Sequence, residues 1–516
     1  MNTETLPDDK EALKKIVADY QQQVVQLQEK VDFLQRALHS PKSDKKPKCG
    51  LNETWPFLPG LVEDEQQVQQ PKEEVVTVPE HSRRKRGRKP IPKDLPRKEI
   101  LHDLSEEEKV CFCGCTLSFI GEEVSEKLDY IPAKLQVERH VRKKYACREC
   151  EGTESDQGAV KTASMPAQLV PQGIVTPGLM AHIITAKFVD GQPFYRQEKQ
   201  FRRLGIELSR STMVSWAIYV ARLCEPFMDL FKQELKLGFY IGIDETPVQV
   251  LKEPGRSNTS KSYMWVFLGG SPENPIVLYE YHPTRSGIVL DFLKDYQGYI
   301  QSDGYAAYNE LKGLPEIIHV GCLAHVRRKF MDVVKIAKQN KGGTAQEILD
   351  YIDQLYRLEQ SFKTKKLKPD RILQERQEKS VPILNKIKEI LDERKSSTPP
   401  SSKLGIAINY ALNQWDSVTR YTLDGRLSPD NNLVENAIRP FALGRKNWLF
   451  KGHPNGAHAG ALYYSLVETA KKNGLEPYAY LRYLFVNLPL AETEQDLKDL
   501  MPQNIDPAHL PSPHEE

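Results

Sequence analysis

The chain has 516 residues, about three domains at roughly 150 residues each, so it can bury a sizeable core. Its 72 Lys+Arg against 70 Asp+Glu leave a net charge of +2, which excludes a simple polycation but not local excesses. No apolar run approaches the ~20 residues of a membrane helix, and eight cysteines are too few for a disulfide scaffold.

The polar, acidic start MNTETLPDDK is not a signal peptide, so a cytoplasmic location without membrane partners is expected. Leu13, Val17, Tyr20, Val24, Leu27, Val31, Leu34 and Leu38 follow at alternating steps of four and three. Val at one seam position and mainly Leu at the other predicts a parallel coiled coil over 1–40, hence a homo-oligomer. A single amphipathic helix packed on its own chain has the same pattern.

Residues 41–104 read as a linker rich in Pro, Glu and Lys. Within it, residues 81–100 hold nine Lys/Arg and two Asp/Glu, a net +7. A basic strand of this kind binds nucleic acid by releasing counterions from phosphates. The piece Arg86-Gly87-Arg88-Lys89-Pro90 is similar to an AT-hook, whose extended arginines enter a narrow minor groove of double-stranded DNA.

Over 105–155 a zinc-binding module is expected. Five of the eight cysteines lie between Cys111 and Cys150. Cys147 and Cys150 form a CxxC knuckle, and Cys111 with Cys113 can supply the other half of a tetrahedral Zn²⁺ site. CxC is tight for one ion, so Cys115 can replace either partner. Residues 156–235 read as helical. PFYRQEKQFRRLG ends at Gly205, and a second helix follows with Ser211 as N-cap. Helix, turn and helix beside Arg202, Arg203 and Arg210 suit a helix-turn-helix, with Arg210 toward DNA.

From residue 236 the pattern turns to strands. GFYIGIDETPVQVLK, KSYMWVFLGG and NPIVLYEYH are followed by a helix and then by GYIQSDG. That order is the order of an RNase H-like α/β fold, in which Asp244 and Asp303 meet at adjacent strand ends. A carboxylate inside IGIDETP is costly to bury without a cation or a hydrogen bond. A third acid is expected from SPDNNLVENAIRP, where Asp430 reads as the N-cap and Glu435 lies one turn in. Either can complete a trio. Three carboxylates can hold two Mg²⁺ or Mn²⁺ ions about 4 Å apart for in-line displacement at a phosphodiester. The core is therefore expected over 236–339 and 426–490. A helical insertion over 340–425 separates the two parts, and an acidic tail covers 491–516. Cys322 and His325 in GCLAHVRRKF have ligand spacing but read better as core packing. Arg327, Arg328, Arg439, Arg445 and Lys446 are the expected phosphate contacts, and Trp448 reads as core or as a base-stacking surface.

The motifs IGEEVSEKLDYIPAKLQVERHVRKKYAC, GQPFYRQEKQFRRLGIELSRSTM, IGIDETPVQV, QSDGYAAY, GCLAHVRRKF, DNNLVENAIRP, GRKNWLF and NGLEPYAYL run in order over most of the chain. They resemble the large transposase of the insertion-sequence 66 family. The resemblance implies a bacterial, nucleoid-associated DDE transposase that cuts element ends and joins them to target DNA. It implies Asp244, Asp303 and Glu435 as the triad, and companion proteins of the same element as partners. Where the family shows CxxCG, this chain has Cys111-Phe-Cys113-Gly, one residue short. Two other classes share the same residues: a nuclease or resolvase that cuts without joining, and a non-catalytic zinc-containing DNA-binding protein.

Replacing Cys147 and Cys150 together with Ser is expected to release zinc from the full-length chain. Elemental analysis showing unchanged metal content would remove the zinc assignment.

Overall fold

A computed structural model describes residues 75–78, 81–84, 135–146, 160–336 and 343–510. The coiled-coil heptads, the basic run with Arg86, Arg88 and Lys89, and Cys111, Cys113, Cys115, Cys147 and Cys150 lie outside the described residues. A short antiparallel pair, Lys144–Ala146 with Val160–Thr162, brackets residues 147–159.

The central sheet follows the apolar runs of the sequence. Its strands are β1 (Tyr240–Gln249), β2 (Lys261–Gly270), β3 (Pro275–His282), β4 (Gly298–Gln301) and β5 (Ile317–Val320). The spatial order is β3-β2-β1-β4-β5. The first three strands form an antiparallel meander. β4 and β5 then run parallel to β1. Gly270 makes the tight β2–β3 return at φ +83°, where a Cβ would sit 2.6 Å from the Asn274 carbonyl oxygen.

Helices α1 (Pro177–Phe188), α2 (Phe194–Arg203), α3 (Arg210–Leu223) and α4 (Pro226–Lys236) precede the sheet. Gly205 ends the α2 region at φ +83°. The cap of α3 is Ser209 rather than Ser211. Its hydroxyl accepts the Thr212 N–H at 3.1 Å, two residues before the expected position. These helices share one apolar cluster with the sheet, in which Phe227, Phe231 and Leu235 pack with Trp265, Phe267 and Leu278. A segment expected as a DNA-reading region is thus also part of the central sheet's packing.

Five helices follow β5: α5 (Leu323–Ile336), α6 (Thr344–Thr364), α7 (Pro369–Glu375), α8 (Val381–Ser397) and α9 (Lys403–Thr419). They bury a second cluster around Phe330, Ile348, Leu355, Ile387 and Trp415. The expected helical insertion therefore has its own core, which begins on α5 and on Val320 of β5. Arg376 holds it to the returning chain. This side chain is 2% exposed, donates two bonds of 2.8 Å to Glu359, and donates to the carbonyls of Tyr421, Asp424 and Leu427 at 2.8 Å each. A buried guanidinium is tolerable only when its donors are met in this way.

The chain then returns through α10 (Asn432–Trp448), α11 (Pro454–Lys472) and α12 (Pro477–Asn487). Edge strand β3 would expose unpaired backbone groups, and α11 covers them. Ser465 accepts the Tyr279 N–H at 2.8 Å and Thr469 the Val277 N–H at 3.0 Å, hydroxyls one helical turn apart. The segment expected as an acidic tail is instead anchored as far as Leu510. A capped turn at Thr493 leads Leu500 and the fully buried Met501 into the main core, because Leu497, Leu500, Met501 and Ile505 give it apolar anchors. Among the described residues, no helix is long and apolar enough to cross a membrane.

Replacing Arg376 with Met is expected to cost about 3–5 kcal/mol in chemical denaturation, since Glu359 and three carbonyls lose their donor. The double change Arg376→Met with Glu359→Met is expected to recover much of that loss. No loss in the single variant would show that the clamp contributes nothing.

Candidate active site

Strand register brings the first two acids together. Gly242 of β1 pairs in parallel with Gln301 of β4. Asp244 and Asp303 each lie two residues beyond that pair, just past the point where the two parallel strands part: Asp244 within β1, which goes on to Gln249 beside β2, and Asp303 beyond the end of β4. Asp244 accepts the Glu245 N–H at 2.9 Å. Asp303 accepts the Tyr305 N–H at 2.9 Å, which turns the chain away from the sheet.

Glu435 arrives on α10, and the approach to that helix is fastened on three sides. Asn431, 1% exposed, donates its side-chain N–H to the Ile243 carbonyl at 2.9 Å, next to Asp244. Its backbone N–H points at the Cys322 sulfur at 3.3 Å. Gln301 donates to the Ser428 carbonyl at 2.9 Å and Leu323 N–H to the Pro429 carbonyl at 2.9 Å. Gly242 admits this crossing, because a Cβ there would come within 2.7 Å of the Tyr240 hydroxyl and 3.4 Å of the Asn431 carboxamide oxygen. The helix begins one residue later than expected. Asn431 is the boundary residue, while the Asp430 carboxylate accepts the Asn432 N–H at 3.2 Å.

Electrostatics separates the two rival acids. Burial holds Asp244 well above the usual carboxylate range, and the charges of Glu245, Glu435 and Asp303 push it further. Burial also raises Glu435, against the charge of Arg328, with Asp430 and Asp303 adding to the rise. Asp430 is raised by burial too, but it feels Lys363 and Glu359 of the helical insertion. Asp303 and Glu435 thus both act on Asp244, whereas Asp430 acts on Glu435 from the side of the helical insertion. One Glu435 oxygen is buried without a hydrogen-bond partner. An all-oxygen donor set short of positive charge fits a hard divalent cation of the Mg²⁺ or Mn²⁺ class.

A tighter trio sits beside it. Among the described residues, donor atoms of Cys322, His325 and Glu435 lie within 4.8 Å of one another, closer than the three acids draw together. Cys322 is 3% exposed and burial pushes its thiol up to about 12, so it is a protonated core group. The His325 imidazole lies 4.0 Å from Glu435, and burial, aided by the Arg328 charge, holds it below its ordinary value. The reading of Cys322 as core packing fits; His325 stands at the site's edge.

The expected phosphate contacts divide. Arg328 is exposed and close enough to act on Glu435. Arg439 and Arg445 are half-buried along α10 and Lys446 is exposed. Arg445 also donates to Thr246 at 3.2 Å and to the Pro247 carbonyl, bracing α10 against β1. Arg210 is exposed at the start of α3. Arg327 departs from expectation. It is 6% exposed and pairs with Asp353 at 2.8 Å, so its charge is used inside the protein.

A brace beside Asp244 was not anticipated from the sequence. Glu245 is ion-paired with Arg285 and accepts the Tyr308 hydroxyl, while Arg285 stacks over Tyr305 at 3.5 Å. The adjacent acids of IDETP were its one visible signal, because Arg285 and Tyr308 are remote in sequence.

The model of the IS66 transposase family matches residues 172–459. Further models match the zinc-finger binding domain of IS66 transposases over 108–151 and the IS66 C-terminal element over 465–503. A model described as transposase C of IS166 homeodomain matches residues 26–100. Uncharacterized protein y4jD of Sinorhizobium fredii is 32% identical over 97% of this chain and 97% of its own length. Uncharacterized protein y4qI of the same organism is 32% identical over 96% of this chain and 92% of its own.

The raised acids carry a stability signature. Carboxyls held above their unfolded values let the native chain bind more protons, so their contribution is present at low pH and lost as pH rises through those raised values. The metal-free chain is therefore expected to lose thermal stability toward neutral pH. Asp244→Asn should raise its melting temperature there by a few degrees, and Mg²⁺ should stabilise the parent more than the variant. A variant less stable than the parent without metal would contradict this.

Proposed function

The chain belongs to the IS66 transposase family, and we propose that it acts as a DDE-type DNA transposase with Asp244, Asp303 and Glu435 as its acids. The observation that carries this reading is the charge that Asp303 and Glu435 exert on the buried Asp244, brought together from two parallel strands and one helix. The order β3-β2-β1-β4-β5, with an antiparallel meander and two parallel strands, supports an RNase H-like core. Bound to these acids, two Mg²⁺ or Mn²⁺ ions would polarise the attacking and leaving oxygens of a phosphodiester.

The rest is work for the chain's own residues. Asn431 and Gln301 fix the helix approach against the strands, and the Glu245–Arg285 pair stiffens the strand end beside Asp244. Arg328, Arg439, Arg445 and Lys446 orient the DNA backbone through its phosphates. Two displacements then follow. Water attacks phosphorus at the element end and frees a 3′-hydroxyl. That hydroxyl attacks a target phosphodiester, forming a new P–O bond as the target's own 3′-oxygen leaves.

The zinc-finger match supports Zn²⁺ on Cys147 and Cys150 with two of Cys111, Cys113 and Cys115. Residues 1–40 serve a homo-oligomer that pairs two ends, in the cytoplasm at the nucleoid, with companion proteins of the element as further partners.

The test uses a supercoiled plasmid carrying the DNA that flanks the coding region, with Mg²⁺. Asp244→Asn, Asp303→Asn and Glu435→Gln should each keep DNA binding and lose nicking by roughly a thousandfold, the equivalent of several kcal/mol. Parent-like nicking by any variant removes that residue from the triad. Nicking by the parent without joined products would mark a nuclease instead.

A further inference from the structure

The far end of α10 has the opposite problem to its start: positive charge and donors without an acceptor. Lys187 in the last turn of α1 and Lys451 just beyond α10 are 8% and 6% exposed. Among the described residues, neither ammonium has a carboxylate partner or a hydrogen-bond acceptor. Both instead lie over rings. Lys187 is 4.3 Å from the Trp448 ring centre and 4.5 Å from that of Phe194. Lys451 is 5.3 Å from Trp448 and 5.6 Å from Phe188. The Trp448 indole N–H is itself buried without a partner.

The arrangement is held in place. Lys451 is pinned to the end of β1 through its N–H to the Gln249 carbonyl at 2.9 Å, and its carbonyl accepts the Leu251 N–H at 2.8 Å. Gly460 leaves room for its ammonium, since a Cβ there would come within 2.7 Å of it. Gly444 does the same for the indole, with 2.3 Å to the Trp448 ring. Ring faces offset part of the cost of burying a cation, but they accept no N–H hydrogen bond of ordinary strength, and the indole N–H between the two lysines is buried without a partner. Burial pulls Lys451 down to about 8 and holds Lys187 well below its ordinary value, with the charge of Lys451 adding to the effect.

We propose that Lys187, Lys451 and the Trp448 indole N–H form an oxyanion site that takes one phosphate group of the DNA backbone. The assignment to DNA rests on the transposase reading; the demand for an oxyanion does not. From Glu435 to Trp448 the helix spans roughly 20 Å at about 1.5 Å per residue. Arg439, Arg445 and Lys446 lie between them in the sequence of the same helix.

The test uses the full chain, inorganic phosphate and a duplex of arbitrary sequence. At matched ionic strength, phosphate should raise the melting temperature over chloride. Lys187→Met and Lys451→Met should abolish that rise, bind duplex about tenfold more weakly near 0.1 M salt, and lose about one unit from the slope of log affinity against log salt. As a check independent of variant folding, phosphate and duplex should each protect both lysines of the parent from acetylation, read by mass spectrometry. Equal melting temperatures in the two salts, with no protection and undiminished duplex affinity, would overturn the site. A phosphate effect with unchanged duplex affinity would overturn the DNA assignment. Phosphate and duplex binding through these lysines in a chain that never nicks DNA would sink the transposase reading and leave the site standing.

Discussion

The buried carboxamide of Asn431 is the tie on which the candidate site depends. It donates to the carbonyl of Ile243, one residue before Asp244, while its own backbone N–H meets Cys322. Glu435 lies far along the chain from both aspartates, beyond a helical insertion with its own core. Its position relative to them is therefore set where the chain re-enters the sheet. Four hydrogen bonds through residues 428–431 do that, and each uses a buried polar group that would be costly left unpaired. Arg376 fixes the preceding stretch by holding the carbonyls of Tyr421, Asp424 and Leu427.

Glu435 and Trp448 stand near opposite ends of one helix, and their surroundings have opposite deficits. At the start, neighbouring acids add to the rise of the buried Asp244 and Glu435, and an oxygen of Glu435 is unpartnered. At the end, two lysines and an indole share no acceptor. Neither arrangement is what stability alone would select, since buried charges are ordinarily paired. The proposed function would resolve both, with divalent cations at one end and a DNA phosphate at the other. The helix is held against the sheet along its length by the Tyr279 hydroxyl on the Ala437 carbonyl and by Arg445 on Thr246.

What the sequence disclosed follows from what is periodic or local. The apolar strands around Asp244 and Asp303 were legible because buried strands and turn residues have strong local patterns; that β1 runs on past Asp244 to Gln249 beside β2 was not. The helices between Thr344 and Thr419 were legible from their period. Asn431 was not, because an Asn before a helix reads as a cap, and only the fold turns it toward Ile243. Arg327 read as a phosphate contact because Asp353, its partner, is brought near only by packing of α5 on α6. The C-terminal segment looked acidic by composition, yet Leu500 and Met501 suffice to anchor it. Lys187 and Lys451 carried no signal, since two lysines so far apart in the chain meet only around Trp448.

The most direct measurement is anomalous scattering from crystals of the full chain soaked in Mn²⁺. The account predicts peaks at about 2.1 Å from carboxylate oxygens of Asp244, Asp303 and Glu435. A peak held by Cys322, His325 and Glu435, with both aspartates left outside its coordination shell, would contradict it.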